Sequence, residues 1–462
     1  MRFVAVLSLW LSACAAAPAD PREAIVVQAL VDADEVLLRT RPELMAGKYQ
    51  RMAGSTFDFF RGNLPVAVAD WEAGRTSRSG FGGTSFPVAG LGDPHPENFG
   101  LLLGRDGTFT FEPNDFDSAS LVPYLFDVRR LVTGLAVATR ATGQTAAPEA
   151  VARAAAESYV TTFLGLSDGS LTPMPVTGPG DSRVLQDTFE RGLRDLTARA
   201  ELRDLTVVEA GQRRFIRGPP NENEPTETLE SLHPDLLASI PELLIRLPDH
   251  GAILDVVRQF GSGVASWPRL RFLVLLDGAT ESRDDDFIVE LKELTEAPTA
   301  AWFRPYAVAA DAPSRVEAAL RRAWFRPDAD PRWYATAWRG LPMQVRTESE
   351  ANKGINTSRF TGARASEAEL VKLAHVLGTI LARVHFTGSS REAIDDVRAQ
   401  LLRDPESFAL EQANFALVQS EELVADHQRF LHALETLGPT LGVQPDVREL
   451  PTGFPREVFG PP

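Results

Sequence analysis

Two short stretches hold the residues best suited to chemistry: Gly92-Asp-Pro-His-Pro-Glu-Asn-Phe-Gly100 and, a little further on, Asn114-Asp-Phe-Asp117. Phosphoryl transfer asks for a carboxylate that orients or deprotonates the acceptor, and for oxygen ligands that hold Mg2+ in an octahedral shell against the phosphates. Asp93, Asn98 and Asp115 supply that set, with Asp117 close behind.

Such residues act only if the surrounding elements bring them together. Residues 99–103 and 108–111 read as two β runs joined across Gly104-Arg-Asp-Gly107, a turn composition. The resulting hairpin is expected to return residues 114–117 beside the loop 93–98. Apolar spacing predicts helices over 22–45, 48–62, 127–142, 147–166, 181–205, 226–247, 314–325, 366–386 and 405–437. Residues 270–276, 287–291, 334–338 and 342–347 read as strands, and Arg217-Gly-Pro-Pro-Asn-Glu-Asn-Glu-Pro225 as coil. In the strand 287–291 and just beyond, Ile288, Glu290 and Lys292 share a face, so Lys292 either lines a cleft or is solvated. Glu317 either pairs with Lys292 or completes a capping box with Ser314.

Gly92-Asp93-x-His95-x-x-Asn98, a hairpin and Asn-Asp-Phe together resemble the catalytic loop and metal-binding aspartate of the aminoglycoside phosphotransferase branch of the protein-kinase-like superfamily. The resemblance implies Asp93 as catalytic base and Asn98 and Asp115 as Mg2+ ligands. Asp117 stands where many kinases carry glycine and joins the metal candidates. His95 either joins the site or fixes its own loop as a hydrogen-bond donor. Downstream, Gly261-Ser-Gly263 and Phe287-Ile-Val-Glu-Leu-Lys292 resemble the glycine loop and lysine strand that hold ATP phosphates, with Ser266 in place of the third glycine. Leu377-Gly-Thr-Ile-Leu-Ala-Arg-Val-His385 is similar to the helix that precedes the catalytic loop in those enzymes, yet it follows the loop here. That order implies a circular permutation.

Arg51-Met52, Phe57 with Phe59-Phe60-Arg61-Gly62, the two stretches above, Asp127-Val-x-Arg130-Leu131, Pro219-Pro220, Lys292-Glu293 and Ala382-Arg-x-His385 resemble the bacterial family known as domain of unknown function 2252. The likeness spans most of residues 22–440 and names no substrate. It implies an α+β, protein-kinase-like, two-lobed and circularly permuted fold. A helical lobe at 23–254 would carry the catalytic hairpin (93–117), 255–350 would form a small antiparallel β lobe, 351–440 would complete the large lobe, and 441–462 would be a Pro-rich tail. Asp127 would brace the catalytic loop. Arg61 would bind phosphate or carboxylate, or else pair within the fold.

The chain has 462 residues and a formal charge of -16, without a basic run, which excludes a nucleic-acid partner held by counterion release. Residues 1–13 read as a lipoprotein signal peptide: Leu11-Ser-Ala-Cys14 resembles the bacterial lipobox, with 14–22 as a tether. Lipidation of Cys14 would anchor an exported protein, and Ala15 points to the outer membrane facing the periplasm. The only membrane contact expected is that lipid anchor. The expected function is Mg2+-dependent phosphotransfer or nucleotidyl transfer from ATP or another nucleotide to an unknown small molecule. The alternative is an envelope lipoprotein that has lost turnover and binds a ligand in the same cleft. A metal phosphoesterase lacks the further histidine cluster it would need, and a serine hydrolase lacks its Gly-x-Ser-x-Gly elbow.

Overall fold

The computed structural model describes residues 20–446 apart from 105, 144–146, 218–225, 229–232, 261–262, 281, 307–308, 310, 327–329 and 331, together with residue 454. Cys14, Gly261 and the pair Pro219-Pro220 lie outside the described residues. The fold is mixed α+β. Its elements in chain order are α1 (Pro21–Thr40), α2 (Pro42–Met52), α3 (Thr56–Gly62), α4 (Leu64–Glu72), β1 (Val88–Gly90), β2 (Phe99–Leu103), β3 (Phe109–Pro113), β4 (Ser120–Val122), α5 (Tyr124–Ala141), α6 (Pro148–Asp168), α7 (Arg183–Ala198) and α8 (Ala200–Leu205). There follow β5 (Thr206–Glu209), β6 (Gln212–Phe215), β7 (Thr226–Thr228), α9 (Pro234–Leu244), β8 (Ile253–Gln259), β9 (Arg271–Leu276), β10 (Phe287–Glu293), α10 (Ala312–Ala323), β11 (Tyr334–Trp338), β12 (Leu341–Glu348), α11 (Glu367–Gly388), α12 (Arg391–Leu401) and α13 (Pro405–Leu437).

Helix starts follow local chemistry. Asp20, Ser55, Ser182, Asp311, Ser390 and Asp404 each accept a first-turn N–H, and Pro opens α1, α2, α6, α9 and α13, where its missing donor costs nothing. Helices α5, α6, α11 and α13 pack into the main core, with Leu131, Tyr159, Phe163, Leu377 and Phe408 all essentially inaccessible. Helix α11 is long and apolar enough to cross a membrane, yet most of it is buried inside the fold.

The larger sheet is antiparallel throughout, in the order β11-β12-β10-β9-β8-β7. One face packs on α9 through Leu236, Val274, Val289 and Leu291. The opposite face carries Leu273, Leu275 and Ile288, then the polar pair Glu290 and Lys292. β2 and β3 form the expected hairpin, with Phe99 opposite Pro113.

Several expectations are corrected. The helix expected over 226–247 is strand β7 followed by the shorter α9: Pro234 cannot continue a helix from upstream, and His233 before it is non-helical. Strand β8 was not foreseen, because its Asp255 and Arg258 look like surface residues. Both are buried; Asp255 pairs with Arg217 at 2.9 Å and takes the Phe215 N–H at 2.8 Å. The glycine-bearing segment thus precedes the antiparallel pair β9–β10, as its position in the sequence suggested, and also follows the unforeseen β8. The helix over 48–62 breaks at Gly54-Ser55, where Ser55 caps α3.

Candidate active site

The loop from Gly92 to Asn98 is held from below by α5. Asp127, fully buried near the start of that helix, accepts the Leu91 N–H at 2.6 Å and the Gly92 N–H at 2.9 Å. His385 Nε2 of α11 lies 3.2 Å from the same carboxylate, and Tyr159 Oη lies 2.8 Å from His385 Nδ1. Gly92 has φ +75°, and a Cβ there would collide with the Ser118 carbonyl, so only glycine lets this loop meet the segment after Asp117. The Asn114 N–H donates to the Asn98 carbonyl at 3.0 Å, so the hairpin brings the two stretches side by side.

Asp93 is buried, and its Oδ1 accepts Arg130 Nε at 3.0 Å and Nη2 at 2.5 Å. Arg130 also donates to Asn63 Oδ1 and the Phe60 carbonyl and stacks on the Phe60 ring at 3.9 Å. Burial pushes the Asp93 pKa up, against the pull of Arg130. Asn98 donates its Nδ2 to the Asp93 carbonyl at 2.9 Å, which leaves its Oδ1 available as a ligand.

Phe116 anchors the second stretch, edge-on to Trp324 and Trp333, and so fixes the aspartates on either side of it. Lys292, buried on β10, places Nζ 2.8 Å from Asp117 Oδ2 and 3.7 Å from Asp115 Oδ1. Burial opposes the charge of Lys292, but the two carboxylates hold its pKa above the ordinary value. Burial works to raise Asp115, yet Lys292 and then the Asp117 N–H hold it low; for Asp117, burial prevails over Lys292 and the pKa is raised. Alongside, Glu290 bonds Arg271 and Arg346, which pull it to about 2 despite burial, whereas burial and Glu290 push Glu348 up to about 7.

Asp93, His95, Asn98, Asp115, Asp117 and Arg61 line one cleft of about 200 Å³, together with Gly263. Gly263 has φ +78°, and a Cβ there would lie 2.6 Å from Ser266 Oγ. His95 makes no hydrogen bond through its buried Nδ1; it packs edge-on to Phe57 and Phe60, and burial, Arg61 and Arg130 hold its pKa well below the ordinary value. Arg61 pairs with Glu97 at 3.1 Å and lies 3.5 Å from Asp58.

Glu317 is not the partner of Lys292. It binds Arg246, just beyond α9, at 2.9 Å, and the cap of α10 is Asp311, accepting the Ser314 N–H, so the Ser314 box does not form either. The sequence reading also missed four charged residues in or beside the site, of which Lys48 lines the cleft itself. Arg130 was only part of a family pattern, Lys48 pairs in the cleft wall with Asp34 at 2.5 Å, and Arg271 and Arg346 stand opposite Lys292 and Glu290 in the sheet register. The alternation on β9 and β12 was the available signal for the last two.

The donor set is made of hard oxygen ligands, which suits Mg2+: the free Oδ1 of Asn98, Asp115, and Asp117, whose Oδ1 is buried without a partner. Among the described residues no three His, Cys, Asp or Glu side chains converge enough to hold an ion alone. An ion here would depend on one or two carboxylates, Asn98 and oxygens of the substrate, the usual division of labour for Mg2+.

A family described as an uncharacterized protein conserved in bacteria (DUF2252) matches residues 39–433, and the chain belongs to it. No curated protein and no solved structure matches the chain.

Proposed function

We propose that the cleft is the active site of a Mg2+-dependent phosphotransferase with a kinase-like, circularly permuted two-lobed fold, using ATP or another nucleotide as donor, with nucleotidyl transfer as the chemical variant. The observation that carries this is Lys292, buried on the third long strand of the sheet, within ion-pair reach of both Asp115 and Asp117. Two further features support it. The glycine-bearing turn lies between the first two long strands, the lysine is on the third, and a helix follows, the order in which a kinase small lobe sets its phosphate loop, lysine and αC helix. The end of α11 abuts the strand leading into the Asp93 loop, with the Ala89 N–H donating to Ser389 Oγ at 2.9 Å. A chain cut between those two points and rejoined elsewhere would give the observed order.

In this reading Asp93 accepts the acceptor's proton on Oδ2, while Arg130 holds Oδ1 and fixes the rotamer. Lys292 neutralises phosphate charge, and Gly263 lets the turn approach the phosphates. When bound, Mg2+ would be held by Asn98 Oδ1, Asp115 and Asp117 and would neutralise charge on the phosphates. The glutamate that pairs with this lysine in kinases has no counterpart at Glu317. That departure favours the second reading, a lipoprotein that binds a ligand without turnover. Cys14 lipidation and envelope anchoring belong to both readings, since two or more acyl chains suffice for stable attachment.

Calorimetry on the full-length chain with Mg2+ and ATP tests the proposal, followed by formation of ADP or pyrophosphate with a small-molecule cell extract as the source of acceptor. Mg2+-dependent nucleotide binding with turnover supports the enzyme, and binding without turnover supports the second reading. No nucleotide binding with or without Mg2+ overturns both nucleotide readings.

A further inference from the structure

A second cavity, of about 300 Å³, lies between α10, the antiparallel pair β1–β4 and the segment that follows β10. Its walls are small and apolar: Ala89 and Gly90 from β1, Ala119 and Leu121 around β4, Ala318 and Ala319 from α10. Three arginines line the same space, Arg304, Arg315 and Arg322, against one acid, the exposed Glu296. Arg315 donates Nη1 to the Ala119 carbonyl at 2.6 Å and Nη2 to the Thr295 carbonyl at 2.8 Å, while its buried Nε has no partner. None of the three forms an ion pair with a carboxylate among the described residues. A guanidinium stays charged in a protein; Arg315 gives its hydrogen bonds to neutral carbonyls and feels Glu296 and Asp117 only at longer range, so burial prevails over those two acids and three cations share the space with one lining carboxylate. An apolar chamber with a few convergent polar groups of one sign is the usual form of a small-ligand site.

We propose that this cavity binds an amphiphilic anion, a short apolar body bearing one carboxylate or phosphate, with the body on the alanine walls and the head among Arg315, Arg322 and Arg304. Apart from the arginines and Glu296 the one polar side chain in the lining is Ser120, whose hydroxyl is engaged with Thr299, so little would reward a sugar or a peptide, and the charge balance disfavours a cation. Leu91 and Glu296 line both this cavity and the acidic cleft, and the Ala119 carbonyl that holds Arg315 is two residues from Asp117. An occupant is therefore in contact with the segments that position Asp93 and Asp117, which makes the cavity a regulatory site for whatever the cleft does.

Calorimetry on the full-length chain tests this with octanoate and octyl phosphate as probes and octanol as the neutral control. At least one anion should bind saturably, at least tenfold more tightly than octanol. The double variant Arg304→Gln with Arg322→Gln, at exposed and half-exposed positions that the fold tolerates, should weaken the anion about tenfold and leave octanol unchanged. Ala319→Phe, which fills the chamber, should remove binding of both. Equal affinity for octanol, undiminished anion binding by the double variant, or no saturable binding of either anion overturns the proposal.

Discussion

Replacing Lys292 by Met keeps the aliphatic stem and deletes an ammonium that lies 2.8 Å from Asp117 Oδ2 and 3.7 Å from Asp115 Oδ1. Lys292 and Asp117 are both buried, so the variant strands a desolvated carboxylate. Removing one partner of such a pair costs about 3–5 kcal/mol. Asp117 escapes part of this by taking up a proton, because its pKa already lies above the ordinary value. The expected loss is therefore about 3 kcal/mol near neutral pH, at the low end of that range. In the variant, Asp117 binds its proton more tightly folded than unfolded, so the folded state carries more protons and stability falls as pH rises above the ordinary aspartate range. The gap from the parent is thus widest near neutrality and narrows as pH falls through about 4 and below, where the carboxylate becomes protonated in both states. Lys292 itself, with its pKa raised, contributes fully below the ordinary lysine value and is lost only as pH rises past its folded value, outside this window. Urea unfolding followed by circular dichroism at three pH values reads the gap. A variant as stable as the parent near neutrality, or a gap that does not narrow in acid, would refute the reasoning. Adding Asp117→Asn to the variant should recover most of the loss, since no charge is then stranded.

Asp115→Ala should abolish Mg2+-dependent nucleotide binding and keep the fold, whereas Asp93→Ala should spare binding and remove turnover; calorimetry and formation of ADP or pyrophosphate separate the two, and parental behaviour in both variants would undo the roles assigned. Gly92→Ala forces a positive φ on a residue with a Cβ and drives it into the Ser118 carbonyl, so a loss of about 2 kcal/mol or more is expected in thermal or urea unfolding. Glu348→Gln should gain stability over the parent only above the ordinary glutamate range: with its folded pKa pushed up to about 7, the parent's Glu348 loses stability as pH rises from the ordinary value to that point. The gain should be on the order of 3 kcal/mol at pH 8 and nearly vanish at pH 4, and an equal gain at both would sink the assignment.

The elements that could be read from sequence were those whose pattern depends on neighbours in the chain. The helix expected over 405–437 coincides with Pro405–Leu437, and the hairpin was legible from Gly104 and Gly107 flanked by two short β-type runs. What could not be read was set by partners distant in sequence. Strand β8 hides because its inward charges, Asp255 and Arg258, are balanced by Arg217 and by the Phe260 ring, neither of which a local window weighs. The face of Lys292 was legible from strand alternation, but its partner was not. The helix after its strand offered Glu317, whereas the structure supplies Asp117, far upstream in the chain, and turns Glu317 toward Arg246. Arg130 was visible only as a motif letter, because its bond to Asp93 requires the loop and α5 to meet in space.

The choice between turnover and binding alone turns on whether Arg130 disables Asp93. A general base needs one oxygen with a free lone pair directed at the acceptor and an anchor that fixes its rotamer. Both bonds from Arg130 fall on Oδ1. Arg130 is itself held by Asn63 Oδ1, the Phe60 carbonyl and the Phe60 ring, so it is a fixed part of the helical core and not a mobile quencher. Burial then acts in the same direction as catalysis, raising the Asp93 pKa toward values at which proton uptake becomes favourable, while Arg130 keeps the rise in check. A site kept for ligand binding alone would have no need for a carboxylate that Arg130 orients through one oxygen only, beside the Mg2+ candidates. The Asp93–Arg130 pair thus favours the proposed turnover, and Asp117 supplies Lys292 with the carboxylate partner that Glu317 does not.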